Sequence, residues 1–168
     1  EPNPRYETLM KAVASAKAEG VDFLLAVGGG SVIDGTKFIA CAMGYDESDP
    51  WDFVRDNSKL KSVTPLPLAT VLTLPATGSE MNNGAVITRG SSDEKLAFHH
   101  RDVYPRFSVL DPEVCYSLPD KQVANGVADT FAHVLEQYLT YPCHAMVQDR
   151  FAEGILKILV KIGPGVVK

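Results

Sequence analysis

The chain has 168 residues, 45% of them hydrophobic and 8% aromatic, which is enough for one well-buried domain and the beginning of a second. Its 16 basic and 21 acidic residues give a net charge of -5, and Lys and Arg form no run of the kind that binds nucleic acid or an anionic membrane. The composition therefore predicts a globular protein and argues against nucleic acid as a partner.

Cysteine usage and the apolar runs indicate where the protein works. Cys41, Cys115 and Cys143 are odd in number, widely spaced and without a C-x-x-C pair, which argues against a disulfide framework and against a cysteine zinc site. No stretch approaches the roughly 20 apolar residues of a membrane span, and no signal-peptide pattern opens the chain. We therefore expect a cytoplasmic protein that does not bind membranes.

The first predicted elements follow α/β order. Apolar residues at helical spacing predict a helix from Tyr6 to Gly20, where the glycine supplies a stop. The apolar run Phe23–Val27 predicts a parallel strand buried on both faces, and three glycines follow it. A second helix is predicted from about Ser31 to Met43. Helix, strand, glycine turn and helix together indicate an α/β fold with a Rossmann-like parallel sheet.

The middle of the chain is polar and contains prolines, so residues 44–67 are predicted to form a surface excursion anchored by Trp51, Phe53 and Val54. Further strands are predicted at Val71–Leu74, Val86–Thr88 and Phe107–Leu110, where short apolar runs are bounded by turn residues.

Helix-compatible sequence begins after Leu118. Helices are predicted over Val123–Leu139 and Ala145–Val160, with a break at Pro142. This change in composition predicts two domains, an α/β domain over residues 1–117 and the beginning of an all-helical domain over residues 118–168.

The turn Gly28–Ser31 is a candidate phosphate site. Free N–H groups at a helix start hold anions, and any Cβ there would keep the backbone from approaching the phosphate. The fingerprint G-x-G-x-x-G fails because Ile33 occupies its third glycine position, and the P-loop pattern fails because Thr36 and Lys37 are in swapped order. A purely structural glycine turn is the alternative.

Asp129 and His133 are candidate metal ligands. They are four residues apart in a predicted helix and therefore share one face, and carboxylate oxygen with imidazole nitrogen suits a divalent zinc or iron ion. An ordinary side-chain pair is the alternative, because a metal site needs three or four ligands. His99, His100 and His144 are further ligands by residue type alone.

Four segments in one order resemble the iron-containing alcohol dehydrogenase family, and more narrowly its butanol dehydrogenase and aldehyde reductase branch, which is often NADPH-dependent. They are Leu25–Asp34 (LAVGGGSVID), Leu74–Glu80 (LPATGSE), Val109–Pro112 (VLDP) and Asn125–His133 (NGVADTFAH). The resemblance extends over essentially the whole chain.

The resemblance implies that residues 1–117 bind NADP or NAD and that residues 118–168 begin a metal-binding domain. It places the cofactor contacts at Gly29, Gly30 and Ser31, with Asp34 in the same turn, at Thr73, Thr77 and Ser79 along the nucleotide cleft, and at Lys95 near the ribose. It makes Asp129 and His133 the first two ligands of Fe2+ or Zn2+, with two histidines from later in the family's chain completing the site. The alternatives are loop hydroxyls that satisfy their own backbone and, for Lys95, a solvated surface charge.

The implied activity is hydride transfer between NAD(P)(H) and an aldehyde or primary alcohol, with the metal polarising the substrate oxygen. No catalytic group apart from the metal ligands, and no general acid or base, is identified. The alternatives are a related glycerol dehydrogenase or dehydroquinate synthase-like enzyme and a non-catalytic nucleotide-binding module. Because the family has an initial strand and later histidines that are absent here, we expect a fragment that can be inactive by itself and a homo-oligomer.

Overall fold

The computed structural model describes residues 3–47, 49–142 and 144–166. It divides into two units, one formed by the chain up to Thr73 with Gly78–Pro112, the other by Leu74–Thr77 with the chain from Glu113 onward. The division falls shortly before the boundary predicted at residues 117 and 118. Cys143 lies outside the described residues, and Cys41 is a buried free thiol.

The first unit is an α/β structure, as the sequence predicts. Its elements are α1 (Tyr6–Ala18), β1 (Leu24–Gly28), α2 (Gly30–Met43), α3 (Trp51–Arg55), β2 (Leu68–Leu72), β3 (Gly84–Arg89), β4 (Glu94–His99) and β5 (Ser108–Val109). Strands β1, β2 and β5 form a parallel sheet in the order β1-β2-β5, in which Leu24 pairs with Leu68 and Thr70 pairs with Ser108.

Strands β3 and β4 form a separate antiparallel pair, in which Gly84 lies opposite His99 and Thr88 opposite Lys95. The predicted strand at Val86–Thr88 therefore exists, but its partner β4 was not predicted. The sequence of β4 lacks a long apolar run, and its one buried side chain, Phe98, meets the core only through tertiary packing.

The prediction that β1 is buried on both faces is wrong. Ala26 is 1% exposed and forms a small apolar cluster with Ile33 and Leu72, whereas Leu25 and Val27 are 55% and 58% exposed. Helix α2 packs on β1, and none of the described residues buries Leu25 and Val27. Two apolar side chains of this run therefore lie on a face of the sheet that is exposed in this structure.

Aromatic side chains build the core that joins α2 to the hairpin. Phe53 on α3 lies 5.3 Å from Phe38 on α2 and 5.4 Å from Phe98 on β4, measured between ring centroids. The predicted anchors Trp51, Phe53 and Val54 are all buried. The segment after α2 thus packs its aromatic residues into the core and holds the hairpin of β3 and β4 against α2.

The second unit consists mainly of two helices, α4 (Asp120–Tyr138) and α5 (Met146–Val166), preceded by a 3-10 turn at Pro112–Cys115. Helix α5 runs past its predicted end and through Pro164. Among its described residues only Gly163 is buried, and α4 has no buried residue. No helix in the described part of the chain is long and apolar enough to span a bilayer.

Replacing Phe53 by Ala should lower the free energy of unfolding of the first unit by about 3–5 kcal/mol, because it empties the centre of the aromatic cluster. Phe107→Ala is the matched control, since Phe107 belongs to the same unit but is 55% exposed, and it should change stability by less than about 1 kcal/mol. Urea unfolding followed by the fluorescence of the single tryptophan, Trp51, measures both. Equal losses in the two variants would contradict this account of the core.

Candidate functional site

The glycine turn connects β1 directly to α2. Gly29 is the N-cap residue, and its carbonyl accepts hydrogen bonds from the N–H groups of Val32 and Ile33 at 3.0 and 3.1 Å. No side chain caps this end of α2, and its first turn holds no acidic residue. An uncapped helix start whose first turn carries no carboxylate is an arrangement that binds anions through backbone N–H groups and the helix dipole.

Gly28 is required by close packing. A Cβ at this position would lie 2.6 Å from Cγ2 and 2.7 Å from Cβ of Val32, in the first turn of α2. Val32 cannot avoid this clash by rotating about χ1, because its own Cβ is involved. The glycine therefore lets α2 begin immediately against the end of β1.

Thr73 lies beside this turn. Parallel pairing sets Gly28 opposite Leu72, and the N–H of Thr73 donates to the carbonyl of Gly28 at 3.1 Å. The turn and Thr73 thus share the carboxyl ends of two neighbouring parallel strands, where open α/β sheets bind their ligands. Ser31 is exposed there and Thr73 is half-buried.

Asp34 and Ser79 lie behind the turn, directed toward the protein. The Asp34 carboxylate accepts a 2.9 Å hydrogen bond from the N–H of Val86, and Ser79 is 5% exposed. Burial raises the pKa of Asp34 above its usual range, although hydrogen bonds from Val86 and Ser79 and the charge of Lys37 partly offset this. The structure therefore brings Asp34 and Ser79 together as interior residues.

Lys37 is a buried residue of this region that the sequence analysis missed. Its ammonium donates to the carbonyls of Asn82 and Gly84 and to the side-chain oxygen of Asn82, each at 2.8 Å. Burial lowers the pKa of Lys37 to about 8, opposed by the charges of Asp34 and Glu80. The available signal was its position three residues after Asp34, which places both on one face of α2.

Lys95 and Thr77 are placed differently. Lys95 is exposed on β4 and lies opposite Thr88. The N–H of Thr88 donates to the carbonyl of Pro4. No contact described for Lys95 joins it to the glycine turn. Thr77 is exposed and belongs to the second unit. Gly29, Gly30, Ser31 and Thr73 thus form the assembled part of the predicted cofactor site.

Asp129 and His133 lie on α4 with Oδ1 and Nε2 3.7 Å apart, and their side chains are 45% and 49% exposed. Two ligands about 2.1 Å from a tetrahedral ion lie roughly 3.4 Å apart, so the pair fits one divalent cation. Within the described ranges, no cluster of three or more His, Cys, Asp or Glu side chains could hold a metal. His99 and His100 belong to the first unit, and His100 accepts a hydrogen bond from the N–H of Asp102.

The second unit also contains a cavity of about 680 Å³ between α4 and α5. Gly126, Val127 and Thr130 of α4 and Leu159 of α5 line it, whereas Asp129 and His133 do not. This cavity could not be predicted from the sequence, because helical periodicity does not reveal how closely two helices approach.

The profile described as iron-containing alcohol dehydrogenase matches residues 1–112. The chain is 57% identical over 170 residues to the NADPH-dependent aldehyde reductase YqhD of Escherichia coli K12, covering all of this chain and 43% of that protein. It is 47% identical over 163 residues to the NADH-dependent butanol dehydrogenase B of Clostridium acetobutylicum, covering 97% of this chain and 41% of that one. The chain therefore spans less than half the length of these relatives.

Solved structures show the same similarity. The crystal structure of E. coli YqhD matches with a TM-score of 0.94 and 55% identity, over 99% of this chain and 43% of that one. The NADH-dependent butanol dehydrogenase A of Thermotoga maritima matches with a TM-score of 0.85 and 38% identity, over 96% of this chain and 40% of that one.

Gly28→Ala should destabilise the first unit by about 1–3 kcal/mol, because the new methyl group must displace Val32 and the start of α2. Gly90→Ala is the matched control, because a Cβ there meets only the flexible ends of Arg5 and Glu7 at 3.4 Å or more, and its effect should stay within about 0.5 kcal/mol. Urea unfolding of both variants compares them. Similar stabilities for the two would show that the turn tolerates a side chain at Gly28.

Proposed function

The chain belongs to the iron-containing alcohol dehydrogenase family, and from this premise we propose that it acts in hydride transfer between NADP(H) or NAD(H) and an aldehyde or primary alcohol. The observation that carries the proposal is the uncapped start of α2, which lies beside Thr73 at the carboxyl ends of β1 and β2. Its N–H groups and dipole suit the dianionic pyrophosphate of a dinucleotide.

The backbone N–H groups of the turn at Gly29, Gly30 and Ser31 hold the pyrophosphate in this proposal. The other cofactor residues are assigned by resemblance to the family: Asp34 within the same turn, Thr73, Thr77 and Ser79 along the nucleotide cleft, and Lys95 near the ribose. The exposure of Ser31 and the position of Thr73 beside the turn support the assignment. The higher identity to an NADPH-dependent relative favours NADP over NAD.

Asp129 and His133 supply two ligands of a divalent metal, which we assign as Fe2+ from the family description, with Zn2+ as the alternative. The 3.7 Å separation of their donor atoms supports this role. When bound, the metal supplies Lewis acidity that polarises the substrate oxygen. The contribution of the protein is to orient the cofactor's reactive carbon through the pyrophosphate contacts and to fix the metal through α4.

The remaining assignments follow from the same proposal. The substrate is a small aldehyde or alcohol, with neither nucleic acid nor membrane as a partner. The odd number and wide spacing of the cysteines support a cytoplasmic location, where cysteines stay reduced. The residues up to about 117 serve the cofactor, and those from 118 onward begin the metal-binding domain.

NADPH consumption with butanal by the full product of the gene tests the proposal. Turnover should disappear on chelation, return with Fe2+ or Zn2+, and fall at least about 100-fold in His133→Ala, which removes a metal ligand. His99→Ala is the control, because His99 is exposed on β4 in the other unit, and it should keep wild-type activity.

Three other outcomes would change the proposed function or its metal site. Dinucleotide binding without turnover under any metal would indicate a non-catalytic nucleotide-binding module. Turnover with glycerol but not butanal would indicate a glycerol dehydrogenase-like enzyme. Full activity in His133→Ala would remove His133 from the metal site.

The chain should self-associate. Strand β1 is one edge of the described sheet, and its own apolar side chains Leu25 and Val27 are more than half exposed. This combination favours pairing with another chain. Light scattering should detect dimers or larger species, and Leu25→Lys with Val27→Lys should shift them toward monomers. Ala14→Lys, at an exposed position of α1, should leave the association unchanged. A monomeric wild type would contradict this.

A further inference from the structure

Helix α2 carries a buried ionisable pair, Asp34 and Lys37, behind the glycine turn. The Lys37 side chain is completely buried, and its three N–H donors meet three acceptors, the carbonyls of Asn82 and Gly84 and the side-chain oxygen of Asn82. No donor is left over for a phosphate or a substrate. Lys37 therefore acts on the protein itself.

Asp34 reaches the same stretch of chain from the preceding turn of α2. Its carboxylate accepts the N–H of Val86 and interacts with the hydroxyl of Ser79. With the Lys37 contacts, α2 holds one continuous segment, Ser79–Val86, at four of its residues. The segment is also braced internally, since the Asn82 side chain accepts the N–H of Gly84 at 3.0 Å.

Charge balance permits this burial. The ammonium of Lys37 lies near the carboxylates of Asp34 and Glu80, and one buried oxygen of Glu80 has no hydrogen-bond partner among the described residues. Burying ionised groups costs more than packing apolar ones, and such groups are retained in some proteins because they select one geometry. Here they fix the loop after β2 relative to the helix that begins at the glycine turn.

We propose that Lys37 is a positioning residue for the cofactor site, which together with Asp34 locks Ser79–Val86 to α2 and thereby sets the affinity for the dinucleotide. This inference rests on the proposed function, because it concerns the same site. Lys37 touches neither cofactor nor substrate. Its effect is to hold Ser79 in a constant position relative to the N–H groups of Gly30 and Ser31.

The test compares Lys37→Met with a control of matched stability in the full product of the gene. Met is unbranched like Lys and only one atom shorter, and it removes all three donors. NADPH affinity, measured by fluorescence titration, should fall about tenfold, with kcat changed less than about twofold. Hydrogen exchange should accelerate at the amides of residues 79–86. Leu60→Ala, at a buried site of the same unit, serves as the control and should weaken the fold without weakening NADPH binding.

Asn82→Ala is a milder second variant, should Lys37→Met fail to fold. It removes one of the three acceptors, and NADPH affinity should fall about threefold. Unchanged NADPH affinity in the folded variants, or an equal loss in Leu60→Ala, would overturn the positioning role while leaving the proposed function intact. Absence of NADPH binding by the wild type would overturn the proposed function and the role of Lys37 together.

Discussion

The parallel pairing of β1 with β2 is the constraint on which the candidate site depends. It sets Gly28 opposite Leu72, and the next residue along, Thr73, donates its N–H to Gly28. Because Gly28 has no Cβ, Val32 approaches the strand end and α2 can begin without a spacer. The helix start and the end of the neighbouring strand consequently face the same space.

Two kinds of packing then hold the antiparallel hairpin to α2. Near the middle of α2, Phe38 belongs to an aromatic cluster with Phe53 and Phe98, in which shape complementarity dominates. Asp34 and Lys37, in the residues just before Phe38, use directional hydrogen bonds to a single segment of chain. Apolar burial supplies most of the stability, while the polar contacts specify where the loop lies.

The second unit differs from the first in how few of its side chains are buried. Its two helices bury almost none of their described residues, and large apolar side chains such as Phe151 and Ile158 are 68% and 56% exposed. The same is true of the open sheet surface around Leu25 and Val27. Asp129 and His133 nevertheless come together, because a helix alone brings residues four apart into contact. The pair is therefore a local feature, unlike the site at the glycine turn.

The sequence by itself determined the features that depend on near neighbours: the α/β order, α2 after the glycine turn, and the shared face of Asp129 and His133. Periodicity and turn chemistry act over a few residues and can be read directly. Only the tertiary structure decided that β1 is open on one face, that Glu94–His99 forms a strand, and that Lys37 is buried on Asn82 and Gly84. The burial of Lys37 depends on partners 45 and 47 residues away, and the open face of β1 on the absence of a covering layer among the described residues. The strand Glu94–His99 has its pairing partner nearby, but its buried Phe98 meets the core only through Phe38 and Phe53, so none of the three outcomes can be read from local spacing.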